Sequence, residues 1–108
     1  MNNESKQNYV HVFHQVTDFS KWKQAFDDFI DVRRKGGEKT FQIFCPKDKP
    51  NDIFLLFTWD SFENAEKFMN SQELKEAMKN AGVIGMPYIH FLNEVASGVV
   101  VKFPEMHQ

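Results

Sequence analysis

From Tyr9 to Val16 the chain alternates with a period of two. Val10, Val12, His14 and Val16 share one face, and Tyr9, His11, Phe13 and Gln15 the other, which is the pattern of a strand. After Asp18, which reads as an N-cap, the period changes. Phe19, Trp22, Phe26, Phe29 and Ile30 recur at helical spacing and form one broad apolar stripe, with Lys21, Lys23, Asp27, Asp28 and Asp31 mostly off it. The stripe predicts a single helix. Arg33, Arg34 and Lys35 would close it with the charge that its C-terminal dipole favours, and Gly36-Gly37 would stop it.

Lys39 to Cys45 reads as a second strand ended by Pro46, and the turn-forming segment KDKPND leads into a third, IFLLFTW. So short a link predicts an antiparallel hairpin. Asp60 with Glu63, and then Asn70 with Glu73, each repeat a capping-box spacing, so a second helical region should start at Asp60 and break near Asn70. Gly82 ends it, and Tyr88 to Val95 supplies the fourth strand.

The resulting β-α-β-β-α-β order is the split βαβ arrangement of a ferredoxin-like α+β fold. Right-handed crossovers place both helical regions on one face of a four-stranded antiparallel sheet. The domain is expected over residues 9–96, after a disordered segment 1–8 and before a tail 97–108. The β-prone run Val99 to Val101 in that tail would pair with a partner subunit.

The other sheet face has nothing in this chain to cover it. Ile53 to Phe57 are all apolar, the pattern of a strand buried on both sides, and Tyr9, Phe13, Phe54, Leu56 and Leu92 fall on or near the open face. Leaving them in water forfeits about 1.5–3 kcal/mol per large side chain, so the sequence predicts a homodimer packed sheet against sheet. RNA-recognition domains share this element order but present basic residues on the open face, and none is expected here. A net charge of −2 with interspersed signs likewise argues against nucleic acid. No apolar run approaches the ~20 residues of a membrane span. The polar start MNNESKQN lacks a signal peptide's apolar core, and Cys45 is the only cysteine, so a cytoplasmic protein is expected.

For chemistry, His14 stands out because its strand neighbours are valines and its ring should face the helices. There it is either a base or a core histidine satisfied by a backbone group. His11 and His90 fall on the dimer side, with a structural role at the interface. Trp22, Phe26, Trp59, Phe68 and Met78 either line an apolar ligand pocket between sheet and helices or fill the core. Arg33 reads as a solvated helix terminus, with pairing to a ligand acid group as the alternative. The four histidines are scattered, and no Cys/His cluster, phosphate loop or serine nucleophile elbow is present, so no metal or other cofactor is expected.

VHVFHQVTDFSKWKQAFDDF (10–29) and LLFTWDSFENAEKFMNSQELKEAMKNAGV (55–83) resemble the dimeric α/β-barrel superfamily that includes antibiotic biosynthesis monooxygenases. The resemblance is closest to small bacterial members of unassigned function. Aligned with the superfamily's heme-degrading branch on Trp59, Asn70-Ser71 and Lys75-Glu76-Ala77, that branch's catalytic tryptophan falls at Phe68 and its iron-ligating histidine at Met78. Phenylalanine lacks the indole donor and a thioether is a weak ligand, so heme degradation is not implied. What the resemblance implies is cofactor-free oxygenation. A base, for which His14 is the choice, deprotonates a phenolic or enolic substrate, and the anion reacts with oxygen in a dry pocket. A non-catalytic homodimer that binds a small apolar or aromatic metabolite remains the alternative.

Overall fold

The computed structural model describes residues 6–101. Its elements run β1 (Asn8–Val16), α1 (Phe19–Asp28), α2 (Ile30–Gly36), β2 (Glu38–Phe44), β3 (Asp52–Trp59), α3 (Phe62–Met69), α4 (Gln72–Asn80) and β4 (Val83–Leu92). The four strands form one antiparallel sheet in the order β2-β3-β1-β4. This is the expected ferredoxin-like α+β fold. Among the described residues no helix is long and apolar enough to cross a membrane.

Strand alternation sorts side chains by face. Val10, Val12, His14 and Val16 of β1 and Ile53, Leu55, Phe57 and Trp59 of β3 are buried beneath the helices, where Trp22, Ala65 and Ala81 meet them. Burial of each large apolar side chain contributes about 1.5–3 kcal/mol, so this layer holds the domain together. On the opposite face Phe13, Phe54 and Leu56 are half-buried, and Tyr88 and Leu92 are 66% and 42% exposed. In the single chain β3 therefore alternates between buried and half-buried positions rather than being covered on both sides.

The expected first helix is two. It breaks at Phe29 (φ −89°, ψ 9°), and the cause is local. The Phe26 carbonyl accepts from the Arg33 guanidinium at 3.1 Å, while the Phe29 N–H is shared between Ala25 O and Phe26 O. Asp27 and Asp28 also place negative charge at the C-terminal end of α1, which the helix dipole disfavours. The break turns α2 so that Arg33 points inward.

Both caps of the second helical region lie one residue later than expected. Ser61 accepts from Asn64 N–H at 3.0 Å and Ser71 from Leu74 N–H at 3.1 Å, while Asp60 instead accepts from the Asn64 side-chain amide. Ser71 also donates to the Phe68 carbonyl at 2.7 Å, which separates α3 from α4. β2 and β3 each start a residue earlier than read. The fourth strand begins five residues early, because β4 runs through Pro87 by way of a bulge. Phe13 pairs with Tyr88 but Gln15 pairs with Ile84, so the segment around Gly85 (φ +71°) loops out opposite His14. An edge strand tolerates a proline at such a place.

The expected disordered start lies mostly outside the described residues, and Asn8 already belongs to β1. Of the tail, 102–108 fall outside them. Val99, Val100 and Val101 are exposed and carry no helix or strand.

Candidate functional site

Between sheet and helices lies a cavity of about 330 Å³, at the small end of the ~300–1,000 Å³ range of small-molecule sites. Its sheet side is made by Val12, Leu55 and Phe57, its α1 side by Trp22, Ala25 and Phe26, and its α3–α4 side by Phe68, Leu74, Ala77 and Met78. Of the residues singled out from the sequence, His14, Trp22, Phe26, Phe68 and Met78 all border it. Trp59 does not. It is buried at the end of β3 behind Phe68, ring to ring at 5.3 Å, with its indole N–H unpartnered. The Leu74–Ala77–Met78–Ala81 stripe faces the cavity rather than solid core.

His14 is 5% exposed, and among the described residues neither covered ring nitrogen has a partner. Among the described residues no backbone group partners the ring, unlike the core histidine that the sequence offered as the alternative. Trp22 meets the imidazole edge-on at 5.6 Å and its strand neighbours are apolar. Burial among such groups pushes the imidazole down from its ordinary 6.5 to about 4. The ring is neutral at physiological pH. It can accept a hydrogen bond from a ligand hydroxyl after a turn about its own side-chain bonds, but it is a weak base.

A second polar group was not legible as such. Arg33 is not a solvated helix end: it is 4% exposed and ion-paired with Glu38, itself 6% exposed, and both border the cavity. Besides its bond to Phe26 O, the guanidinium carbon sits 3.7 Å above the Phe26 ring centroid and 5.3 Å from that of Phe41. The left-handed turn at Gly37 (φ +122°) swings Glu38 inward at the start of β2, and a side chain at Gly37 would collide with the Asp60 carboxylate. Burial raises the Glu38 carboxyl from 4.5 to about 7, with the Arg33 charge opposing. It lowers the Arg33 pKa in turn, with Glu38 and Asp27 opposing. Arg33 Nε and Glu38 Oε1 have no hydrogen-bond partner among the described residues. The one signal in the sequence was an arginine and a glutamate on either side of a Gly-Gly turn.

The aromatic side chains connect the two polar groups. His14 to Trp22 is 5.6 Å, Trp22 to Phe26 is 5.1 Å, and Phe26 to the Arg33 guanidinium is 3.7 Å, which caps the span from His14 to Arg33 at about 14 Å. Among the described residues no group of three or more His, Cys, Asp or Glu is placed to hold a metal ion.

This geometry defines a ferredoxin-like α+β protein with an apolar cavity under its helices and a polar group at each end. No protein-family model matches the chain, and no curated protein matches it. Solved structures do. A candidate antibiotic biosynthesis monooxygenase from Bordetella bronchiseptica aligns with a TM-score of 0.71 at 13% identity, covering 85% of this chain and 100% of that one. One from Caulobacter crescentus aligns at 0.64 and 16%, covering 84% and 92%. SnoaB, a cofactor-independent oxygenase from Streptomyces nogalater, aligns at 0.60 and 10%, covering 90% and 98%. The chain shares the fold of antibiotic biosynthesis monooxygenases.

Proposed function

We propose that this protein binds a small, flat, apolar compound carrying a phenolic or enolic hydroxyl in the sheet–helix cavity, and oxygenates it without a cofactor. The observation that carries the reading is an apolar cavity of about 330 Å³ bordered by a buried, unpartnered histidine. A ligand hydroxyl donating to His14 would restore the hydrogen bond that the ring lacks, worth ~1 kcal/mol net in a typical case. The surrounding rings would exclude water and strengthen every polar contact made inside. Deprotonated, such a ligand carries the electron density that lets carbon react with molecular oxygen. SnoaB, with the same fold, is a cofactor-independent oxygenase.

The working unit of this reading is a homodimer in the cytoplasm. The open face exposes Tyr88 and Leu92 beside Phe13, Phe54 and Leu56, and a second copy of that face would cover them. The Val99–Val101 run would then lie along a sheet edge of the partner.

Oxygen uptake with 1,4-dihydroxynaphthalene tests the reading, against the same compound without protein. Enzyme-dependent uptake that His14→Ala weakens chiefly through KM is the expected result. Binding without uptake, across a panel of naphthols and hydroquinones, would leave the second reading: a non-catalytic binder of the same compounds. The weak basicity of His14 favours that second reading.

A further inference from the structure

We propose that the Arg33–Glu38 pair, rather than His14, is the reactive end of the cavity: Glu38 takes the proton from the ligand hydroxyl and Arg33 holds the oxyanion left behind. This rests on the reading that the cavity binds a phenol or enol. It gives the proton transfer to residues that the resemblance does not point to.

Charge distinguishes the two ends of the cavity. If neutral His14 takes a proton from a neutral phenol, an imidazolium and a phenolate appear where no charge stood before. The cavity wall there is Trp22, Val12 and Leu55, and burying new charge among such groups is costly. At the other end the charge is already present and compensated. Glu38 carboxylate and Arg33 guanidinium form a buried pair, and transfer of the ligand proton to Glu38 turns carboxylate plus phenol into carboxylic acid plus phenolate. One anion replaces another beside the same cation. Atoms and charge balance, and the net charge of the cavity does not change.

The geometry fits this exchange. One carboxylate oxygen, Glu38 Oε2, is held by Arg33, while the other, Oε1, has no partner. Arg33 is fixed from two further directions, by the Phe26 carbonyl and by the Phe26 ring beneath its guanidinium carbon. It still has an unpartnered Nε–H. The carboxyl can therefore turn toward the ligand about its own side-chain bonds while the cation stays in place. Arginine suits that role because it remains charged when buried. A buried ion pair is weak evidence of added stability, and this one leaves a donor and an acceptor free beside a cavity. Basicity points the same way, since Glu38 lies at about 7 and His14 at about 4, and a general base works best near the operating pH.

The test is spectroscopic and needs no turnover. 2-Naphthol is neutral in free solution near neutral pH, as phenols are, with pKa about 10, and its naphtholate absorbs at longer wavelength. Mixed anaerobically with the protein at a pH of about 8, above the Glu38 value, it should show a larger naphtholate fraction than in free solution at the same pH, with no proton released to the buffer. His14→Phe should keep the band, because the single hydroxyl of 2-naphthol is held at Arg33 and not at His14. Glu38→Gln should release about one proton per naphtholate bound, because the acceptor is gone and Arg33 remains. The double variant Arg33→Met with Glu38→Gln, which removes both charges and leaves neither buried alone, should bind 2-naphthol only in its neutral form. Three results would overturn the assignment: a naphtholate fraction in the parent protein no larger than in free solution, loss of the band in His14→Phe, or persistence of the band in the double variant. The outcomes separate the two readings. Ionised 2-naphthol with no oxygen uptake from 1,4-dihydroxynaphthalene removes the oxygenase reading alone, whereas absence of 2-naphthol binding removes both.

Discussion

Substituting His14 and Glu38 one at a time should uncover two opposed pH dependences of stability that offset each other in the intact protein. His14 is pushed from 6.5 to about 4 by burial. Between those values the unfolded chain binds a proton that the folded chain does not, so this site makes stability rise with pH. Glu38 is pushed the other way, from 4.5 to about 7. There the folded chain keeps a proton that the unfolded chain has lost, so stability falls as pH rises. Each slope approaches ~1.4 kcal/mol per pH unit, and the two windows overlap between pH 4.5 and 6.5. Across that overlap each site contributes about 2–3 kcal/mol with opposite sign, so their sum in the parent protein is near zero. His14→Phe removes the rising slope and should leave a protein less stable at pH 6.5 than at 4.5 by that amount. Glu38→Gln should be more stable at pH 6.5 by a similar amount. Leaving Arg33 unpaired lowers the stability of Glu38→Gln at every pH and so drops out of the slope. Urea unfolding at the two pH values, at one fixed protein concentration so that any self-association is held constant, reads the difference directly. Variants whose slopes share a sign, or match the parent's, would refute the reasoning.

Three further outcomes are expected. The proposed dimer predicts a parent protein of twice the 12.7 kDa chain mass by analytical ultracentrifugation, and Leu56→Arg, which places a charge in the centre of the open sheet face, should then be a monomer. A parent protein already monomeric at micromolar concentration would show that no second copy covers that face. Deleting residues 97–108 should raise the dimer dissociation constant while the far-UV circular dichroism of the fold persists, and an unchanged constant would reject a role for the tail in pairing. Ala77→Leu, on the α4 wall of the cavity, should fill part of the space, abolish 2-naphthol binding and raise stability by ~0.5–2 kcal/mol, as cavity-filling substitutions do. Retained affinity would place the binding site elsewhere.

Much of this was legible in the sequence because it depends on period alone. The alternation in β1 sorts Val10, Val12, His14 and Val16 to the helix face whatever the partner strand contributes. The wide stripe from Phe19 to Ile30 must cover that face. The same reasoning carried Trp22, Phe26, Phe68 and Met78 toward the layer where the cavity lies. It could not place Trp59 behind Phe68, because period gives the face of an element and not its depth along it. The caps were misplaced by one residue for a related reason. Asp60 and Ser61, or Asn70 and Ser71, are all competent caps, and only the strand or helix that precedes each pair decides which one has extended backbone. Pro87 reads as a stop until the bulge opposite His14 gives it an edge position with no donor required.

Arg33 and Glu38 were illegible for a more interesting reason. An arginine in the last turn of a helix is favoured by the dipole in water, and that local preference predicts a solvated side chain. Three tertiary events override it. The Phe26 carbonyl accepts from Arg33 as well as from the Phe29 N–H, α1 breaks at Phe29, and Gly37 turns left-handed so that Glu38 meets the guanidinium. None of these is favourable alone. A broken helix, a desolvated cation and a desolvated carboxyl are each costly, and only their combination brings the opposite charges together over the Phe26 ring. Sequence patterns report preferences that hold one element at a time, so a site that works against them is visible only once the elements are assembled. In the reading proposed above, the free acceptor of Glu38 and the free donor of Arg33 are the groups that a ligand in the cavity would meet. Exchange of one anion for another beside Arg33 is the chemistry this arrangement can perform without moving net charge into or out of the cavity.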